Sequence, residues 1–487
     1  MAERYILGVD QSTAGTKALL FDSRGDLIHR CDLPHRQIID NKGWVEHDLM
    51  EIYRNTVEVV RKVIKESGID KSQVAGVGIS NQRETAAVWN RTTGEPVYNA
   101  IVWQCSRGED ICKRIMEAGQ AERVREITGI PLSPYFSAAK IAWVLENIDT
   151  GDSQLCAGTL DSWLMFKLSG SFKTDYSNAS RTQLFDIKAL CWSDEVCGFF
   201  GIDPSILAQV CDSDSCFGYT DFNGFFDDPI PIHSAIGDSH GAMFGQGCHS
   251  YGMMKATYGT GSSIMMNIGK MPLFSDKGIV TSIAWGTGGS ADYVLEGNIN
   301  YTGHVLKWLA DDLNLIKSPE LSDKYAAMAN PEDETYLVPA FSGLGAPYWN
   351  SDARAIICGM SRTTGKAEIV RAAVECIAFQ VADVITAMLE TVGAKGESLR
   401  VDGGATRNNY LMQFQSDILI IPVLVPVQEE LSGIGAAYMA GIALGLYNED
   451  EIFARLMRKK YVPSMDDETR QKKCNGWHNA IKMVHGT

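Results

Sequence analysis

Near the start of the chain, GVDQSTAGTK sets the carboxylate of Asp10 just ahead of Thr13, Gly15, Thr16 and Lys17. Backbone amides, hydroxyls and a cation beside a carboxylate suit a magnesium-bound polyphosphate. The same turn between two apolar runs is otherwise an ordinary hairpin that does no chemistry. YGTGSS repeats the pattern in the middle of the chain, with Thr260 and Gly261 in its turn. VDGGATRNN adds Gly403 and Gly404 between a strand and a helix whose free amides favour an anion. No GxxxxGK[ST] occurs, nor GxGxxG between a strand and a helix, so a nucleotide has to be held by the paired hairpins.

Other residues suit an alcohol acceptor. In SNQRET, Arg83 and Glu84 follow a strand that ends at Ser80, where a cation and a carboxylate can donate to and accept from vicinal hydroxyls. An exposed Arg–Glu pair would be the plainer outcome. IGDSHGAMFGQ places Asp238 ahead of an apolar helix, either as its N-cap or as a general base, and a structural hydrogen bond is expected for His240.

These residues need strands and helices to bring them together. DLMEIYRNTVEVVRKVIKESG has helical apolar spacing, Asp48 and Glu51 set as a capping box, and Gly68 as its stop. With the strand-like VAGVGIS that follows, the order points to an α/β fold. Residues 253–270 restart the opening hairpin, so a weak duplication is expected, with domains 1–249 and 250–487. VRAAVECIAFQVADVITAML reads as a long amphipathic helix.

A length of 487 residues calls for more than one core, and a formal charge of −16 argues against nucleic-acid or anionic-membrane partners. Twelve cysteines without a CxxC pair, and nine histidines without HExxH, favour reduced thiols in a cytoplasm over a disulfide scaffold or a zinc site. Neither the N-terminus nor the proline-broken ILIIPVLVPV favours a signal peptide or a membrane span.

The ordered set GVDQSTAGTKALLFD, GISNQRETAAVWNRTTGEPVYNAIVWQCSR, PYFSAAKIAWVLEN, IGDSHGAMFGQ, TYGTGSS, VPAFSGLGAPYW, VDGGATRNNYLMQFQSDIL and GIGAAYMAGIALG resembles the FGGY family of carbohydrate kinases, and within it the glycerol kinases. The resemblance spans nearly the whole chain. It implies two ribonuclease-H-like domains, of the actin, hexokinase and Hsp70 type, around a central cleft. ATP and Mg2+ are the implied cofactors, with a small polyol or ketose as acceptor. A homodimer or homotetramer is the assembly expected. By the same resemblance Asp10 would help hold magnesium, and Thr13 and Lys17 would approach the moving phosphoryl group. Thr260, Gly303, Gly404 and Asn408 would contact the nucleotide. Arg83, Glu84, Trp103, Tyr135 and Asp238 would surround the acceptor, with Asp238 as the base.

Three positions depart from the glycerol kinases: Ser239 replaces a glutamine, Ser263 an aromatic residue, and Lys307 a glutamine that faces the nucleotide. The first two changes enlarge the pocket and make it more polar. The expectation is a kinase acting on a primary hydroxyl of a four- or five-carbon polyol or ketose. Glycerol kinase proper, giving glycerol 3-phosphate, is the alternative. A non-catalytic sugar or nucleotide sensor on the same fold is the more distant one.

Overall fold

The computed structural model describes residues 3–151 and 154–485. The opening apolar run forms β1 (Tyr5–Gln11), wholly buried, and pairs antiparallel with β2 (Gly15–Phe21). β3 (Leu27–Pro34) continues the sheet beyond β2, and α1 (Leu49–Ser67) carries the chain back to β4 (Val74–Asn81), which lies parallel to β1. β5 (Ile230–Gly237) lies parallel to β4, with a short edge strand, Gly218–Thr220, outside it. α2 (Asp238–Gly245) follows β5 directly.

Helix α1 forms as its spacing predicts. Leu49, Ile52, Val60, Val63 and Ile64 are buried, the Asp48 carboxylate accepts from the N–H groups of Met50 and Glu51, and Gly68 ends the helix at φ 74. The expected capping box is not completed, because the Glu51 carboxylate accepts from the Arg36 N–H at 3.1 Å instead. Glu66, near the end of α1, meets β3: its Oε2 lies 3.1 Å from His29 Nε2 and 3.2 Å from Cys31 Sγ. Cysteine and histidine spacing alone does not reveal this trio, because its carboxylate comes from another element.

The second half repeats the plan. β6 (Met254–Tyr258) and β7 (Ser262–Gly269) form an antiparallel hairpin. β8 (Val280–Thr287) and β9 (Ser290–Ile299) form another, with β9 next to β7. The long α3 (Lys366–Val392) precedes β10 (Leu399–Asp402), which lies parallel to β6. After α4 (Asn409–Leu419), β11 (Val423–Pro426) is parallel to β10, and α5 (Leu431–Ala443) follows, then β12 (Arg458–Tyr461) at the sheet edge. In both halves, then, the first hairpin strand also pairs in parallel with a strand that a long helix delivers. This is the duplication that the two Gly/Thr/Ser turns predict, and residues 247–252 lie between the two copies.

Helix α3 differs from its sequence reading, and α5 crosses between the halves. α3 is not amphipathic but buried over most of its length, because it packs on the second sheet on one side and under α4 and Asp467–His485 on the other. It is long and apolar enough to cross a membrane by composition, yet 83% of its apolar window lies inside the protein. α5, although it follows the second sheet in sequence, packs against β1, β4 and β5 of the first sheet and against α2. Its apolar side chains join Ile6, Leu19, Phe21, Ile236 and Phe244 in one core that links the halves.

Backbone approach in this core is very close. A Cβ on Gly435 would stand 1.9 Å from the Gly241 carbonyl oxygen, and one on Gly78 would stand 2.1 Å from that of Ala436. Neither neighbour is a side chain that can turn away. Gly435→Ala is expected to lower stability by about 1–3 kcal/mol through overpacking, read as a fall in the guanidinium unfolding midpoint. An unchanged midpoint would contradict this contact between α2 and α5.

Candidate active site

The first hairpin presents its chemistry at the open end of β1. Asp10 and Lys17 are direct cross-strand partners, and the turn closes with the Ser12 N–H donating to the Gly15 carbonyl at 2.9 Å. Ser80 Oγ, from the end of parallel β4, donates to Asp10 Oδ1 at 2.7 Å. Lys17 Nζ lies 3.7 Å from Asp10 Oδ2 and 2.5 Å from Glu430 Oε2. Burial raises the Asp10 pKa, with Lys17 opposing, whereas Asp10 and Glu430 outweigh burial and hold Lys17 above its ordinary value.

The second hairpin faces the first across the cleft. Its turn is held by the short helix Gly303–Lys307: the Gly303 N–H donates to the Gly259 carbonyl at 3.0 Å, and the Thr302 and His304 N–H groups donate to the Thr260 carbonyl. Thr260 therefore keeps its exposed side chain toward the cleft. β10 runs parallel to β6 and sets Gly403 and Gly404 beside this turn.

Two cavities meet at Thr257, which lines both. The first, ≈ 740 Å³, includes Asp10, Lys17 and Gly404 with Glu430. The second, ≈ 920 Å³, includes Thr13, Arg83, Glu84, Trp103, Tyr135 and Asp238. Ser239, Thr260 and Ser263 line this larger cavity too. The remaining predicted residues stand elsewhere. The Asn408 side chain caps α4 by accepting from the Leu411 N–H, donates to Ser322 Oγ, and is buried. Lys307 is exposed and lines neither cavity. Gly303 acts through its backbone, by donating its N–H to the second turn at the Gly259 carbonyl.

The Arg83–Glu84 dipeptide is neither exposed nor a self-contained pair. Arg83 donates two parallel bonds to Glu296 of β9, at 2.8 and 2.9 Å, while Arg181 Nε donates to Glu84 Oε1 at 2.6 Å. A second Arg181 nitrogen lies 3.0 Å from Glu296 Oε2, one of the two oxygens that accept from Arg83. All four side chains are buried. Despite burial, the two guanidiniums hold Glu296 well below the usual carboxylate range. Glu84 itself sits at φ 59, a left-handed conformation that costs a non-glycine residue free energy and turns its carboxylate into the pocket. Glu296 and Arg181 were not found by reading motifs, because they lie 213 and 97 residues from their partners and no local pattern marks them.

Asp238 is the first residue of α2. Gly237 takes the N-cap position, so the carboxylate does not cap the helix; Oδ1 accepts from the Ser239 N–H at 2.6 Å and lies 3.4 Å from Arg83 Nε. Loss of hydration raises its pKa, Arg83 opposes this, and Asp10 adds to the rise. About a third of the side chain remains exposed, toward the cavity. His240 departs from expectation: its ring is fully buried, and among the described residues neither nitrogen has a hydrogen-bond partner. Burial and the neighbouring cations hold it neutral.

Trp103 and Tyr135 form an aromatic wall, their rings 5.5 Å apart. Trp103 Nε1 donates to Thr13 Oγ1 at 3.0 Å, which ties the wall to the first turn. Tyr135 is set by buried Lys140, whose Nζ donates to the carbonyls of Pro134, Tyr135 and Phe136. Burial pushes the Lys140 pKa down to about 7. The arrangement can bind a polyol between charged hydroxyl partners and an apolar wall, and can place one hydroxyl between Asp238 and the phosphate-facing turns.

Family models for the N-terminal and C-terminal domains of the FGGY family of carbohydrate kinases match residues 5–245 and 254–444. Glycerol kinase 1 of Thermotoga maritima is 47% identical over 99% of both chains, and glycerol kinase of Bacillus subtilis is 43% identical over the same share. Glycerol kinase of Plasmodium falciparum, solved with ADP, superposes with a TM-score of 0.93 at 34% identity, covering 99% of this chain and 98% of its own. Gluconate kinase from Lactobacillus acidophilus, at 21% identity, shares the fold, with a TM-score of 0.90 over 100% of this chain and 99% of its own.

Removing Glu296 leaves Arg83 and Arg181 buried without their shared counter-ion. Glu296→Ala is expected to destabilise by about 3–5 kcal/mol in denaturant titration, and a loss below about 1 kcal/mol would contradict the network. Because Glu296 is held below its ordinary pKa, its contribution is present at neutral pH. It is lost only as the pH falls past the normal glutamate range into stronger acid.

Proposed function

The chain belongs to the FGGY family of carbohydrate kinases, and from that premise we propose that it transfers the γ-phosphoryl group of ATP to a primary hydroxyl of glycerol. One observation carries the reading: the Asp238 carboxylate, beside Arg83, opens into a cavity shared with the turn of the first hairpin and adjoining the second. Full-length relatives at 42–47% identity that are glycerol kinases support glycerol as the acceptor. They favour it over the four- or five-carbon substrate expected from Ser239 and Ser263. That second reading keeps one observation in its favour: both serines line the acceptor cavity.

On this reading residues 1–249 supply the acceptor side and 250–487 most of the nucleotide side. Arg83 and Glu84 hold the non-reacting hydroxyls, and Trp103 and Tyr135 cover the carbon backbone. The reacting oxygen attacks the γ-phosphorus, its proton passes to Asp238, and ADP leaves. Phosphoryl transfer needs positioning and charge stabilisation more than covalent chemistry, and Thr13, Lys17 and the turn amides are of the right kind for both. Thr260, Gly303 and Gly404 fit backbone contact with a nucleotide. Asn408 would act by fixing the start of α4, and Lys307 would have to swing inward.

Asp10 fits a magnesium ion: Ser80 fixes Oδ1, and Oδ2, which lies 3.7 Å from Lys17 Nζ, belongs to a carboxylate that lines the cleft. Bound there with ATP, Mg2+ would neutralise phosphate charge and polarise the transferred group. A sensor would not need the complete set of Asp10, Asp238 and two turns.

Coupled ADP release with ATP, Mg2+ and glycerol is expected to show turnover that Asp238→Asn lowers about 10²–10⁴-fold, while the calorimetric Kd for glycerol stays within about tenfold. Parallel loss of binding would contradict the base role. Activity requires ionised Asp238, so kcat/KM is expected to fall in acid. The inflection should lie above the roughly 3.9 of a free aspartate, because burial raises this group. A profile flat down to that value would contradict it.

A further inference from the structure

The acceptor wall continues past the buried charges. Glu296 and Asn298 are two residues apart on β9 and share one face, and Ser263 on β7 is the direct cross-strand partner of Asn298. Facing side chains in such a pair start about 5 Å apart. Ser263 Oγ donates to Glu296 Oε1 at 3.4 Å, so the serine adjoins the carboxylate that anchors Arg83. The Asn298 side chain has no hydrogen-bond partner within the protein among the described residues, and neither has the Ser239 hydroxyl. Ser239, Ser263 and Asn298 all line the cavity that Asp238 and Arg83 face.

Two residues along a strand advance about 6.6 Å, so Asn298 stands one step beyond the anchor, where a longer acceptor would extend. Hydroxyl and carboxamide groups both donate and accept, which suits a further CHOH unit. An apolar wall would leave that hydroxyl unpaired at a cost; here the uncommitted side chains of Ser239 and Asn298 meet it, beside Ser263, whose hydroxyl is held by Glu296.

We propose that Ser239, Ser263 and Asn298 form a hydroxyl-binding subsite beyond the Arg83 anchor, through which the enzyme phosphorylates linear four-carbon polyols as well as glycerol. The inference rests on the kinase reading above. The reaction is unchanged: a terminal hydroxyl oxygen bonds to the γ-phosphorus, the bond to ADP breaks, and the proton passes to Asp238.

The test is kcat/KM by coupled ADP release for the full-length protein with glycerol, erythritol, D-threitol and L-threitol. The best tetritol is expected to lie within about tenfold of glycerol. Ser263→Phe, which fills the space, should lower the tetritol-to-glycerol ratio at least about 30-fold, and Asn298→Ala at least about tenfold. Thermal melting checks that each variant is folded, and Asn298→Ala carries the test if the phenylalanine is not accommodated. A wild-type ratio below about a tenth, or a ratio that the folded variants leave unmoved, overturns the subsite while glycerol turnover keeps the kinase reading. Turnover of no polyol at all overturns both.

Discussion

Glu296 is the carboxylate on which the two halves of the molecule close. It comes from the second half, and both guanidiniums that bind it, Arg83 and Arg181, come from the first. A buried ion is tolerated only with excellent geometry and full pairing, and the parallel bonds from Arg83 meet that demand. Everything on the acceptor side follows from this anchor. With Arg83 fixed, its Nε is left to face Asp238; with Arg181 fixed, Glu84 is drawn into the pocket against its own backbone preference. Placement of the proposed acceptor residues and association of the halves are thus one electrostatic problem with one solution.

The end of the cleft that carries Asp10 and Lys17 is organised by a second crossing of the halves. Glu430, at the start of α5, reaches back to Lys17 and also binds Arg30, so the cation beside Asp10 is oriented by the helix that packs under the first sheet. That packing depends on glycines where backbones nearly touch. Substituting Gly435 would push apart the elements that carry Asp238 and Glu430, since α2 and α5 meet there. Core packing and charge placement are linked through the same two helices.

Much of this was legible in the sequence, because it is written in local chemistry. The two hairpins, α1 with Asp48 and Gly68, the duplicated plan, and the residues Arg83 and Asp238 announce themselves by spacing or turn type, whereas Trp103 comes only with the family resemblance. What was not legible depends on distant partners. Glu296 and Arg181 look like ordinary charges in a strand and a loop, and Lys140 looks like a surface lysine of a helix. Asn408, read as a nucleotide contact, is occupied in capping α4, a role that the residue type favours but the motif does not separate. α5 belongs to the second half by sequence, and only the three-dimensional packing shows that it also seats on the first sheet. Among the described residues neither His240 nitrogen has a hydrogen-bond partner, which no sequence pattern could indicate.

The proposed phosphoryl transfer to a polyol rather than to water rests on a cavity lined by charges and aromatic rings and anchored from both halves. The most direct measurement is ³¹P NMR of the full-length protein with ATP, Mg2+ and glycerol. The predicted result is a new phosphomonoester resonance of a primary glycerol phosphate, rising in step with ADP. Inorganic phosphate rising in its place, or ATP left intact, would contradict it.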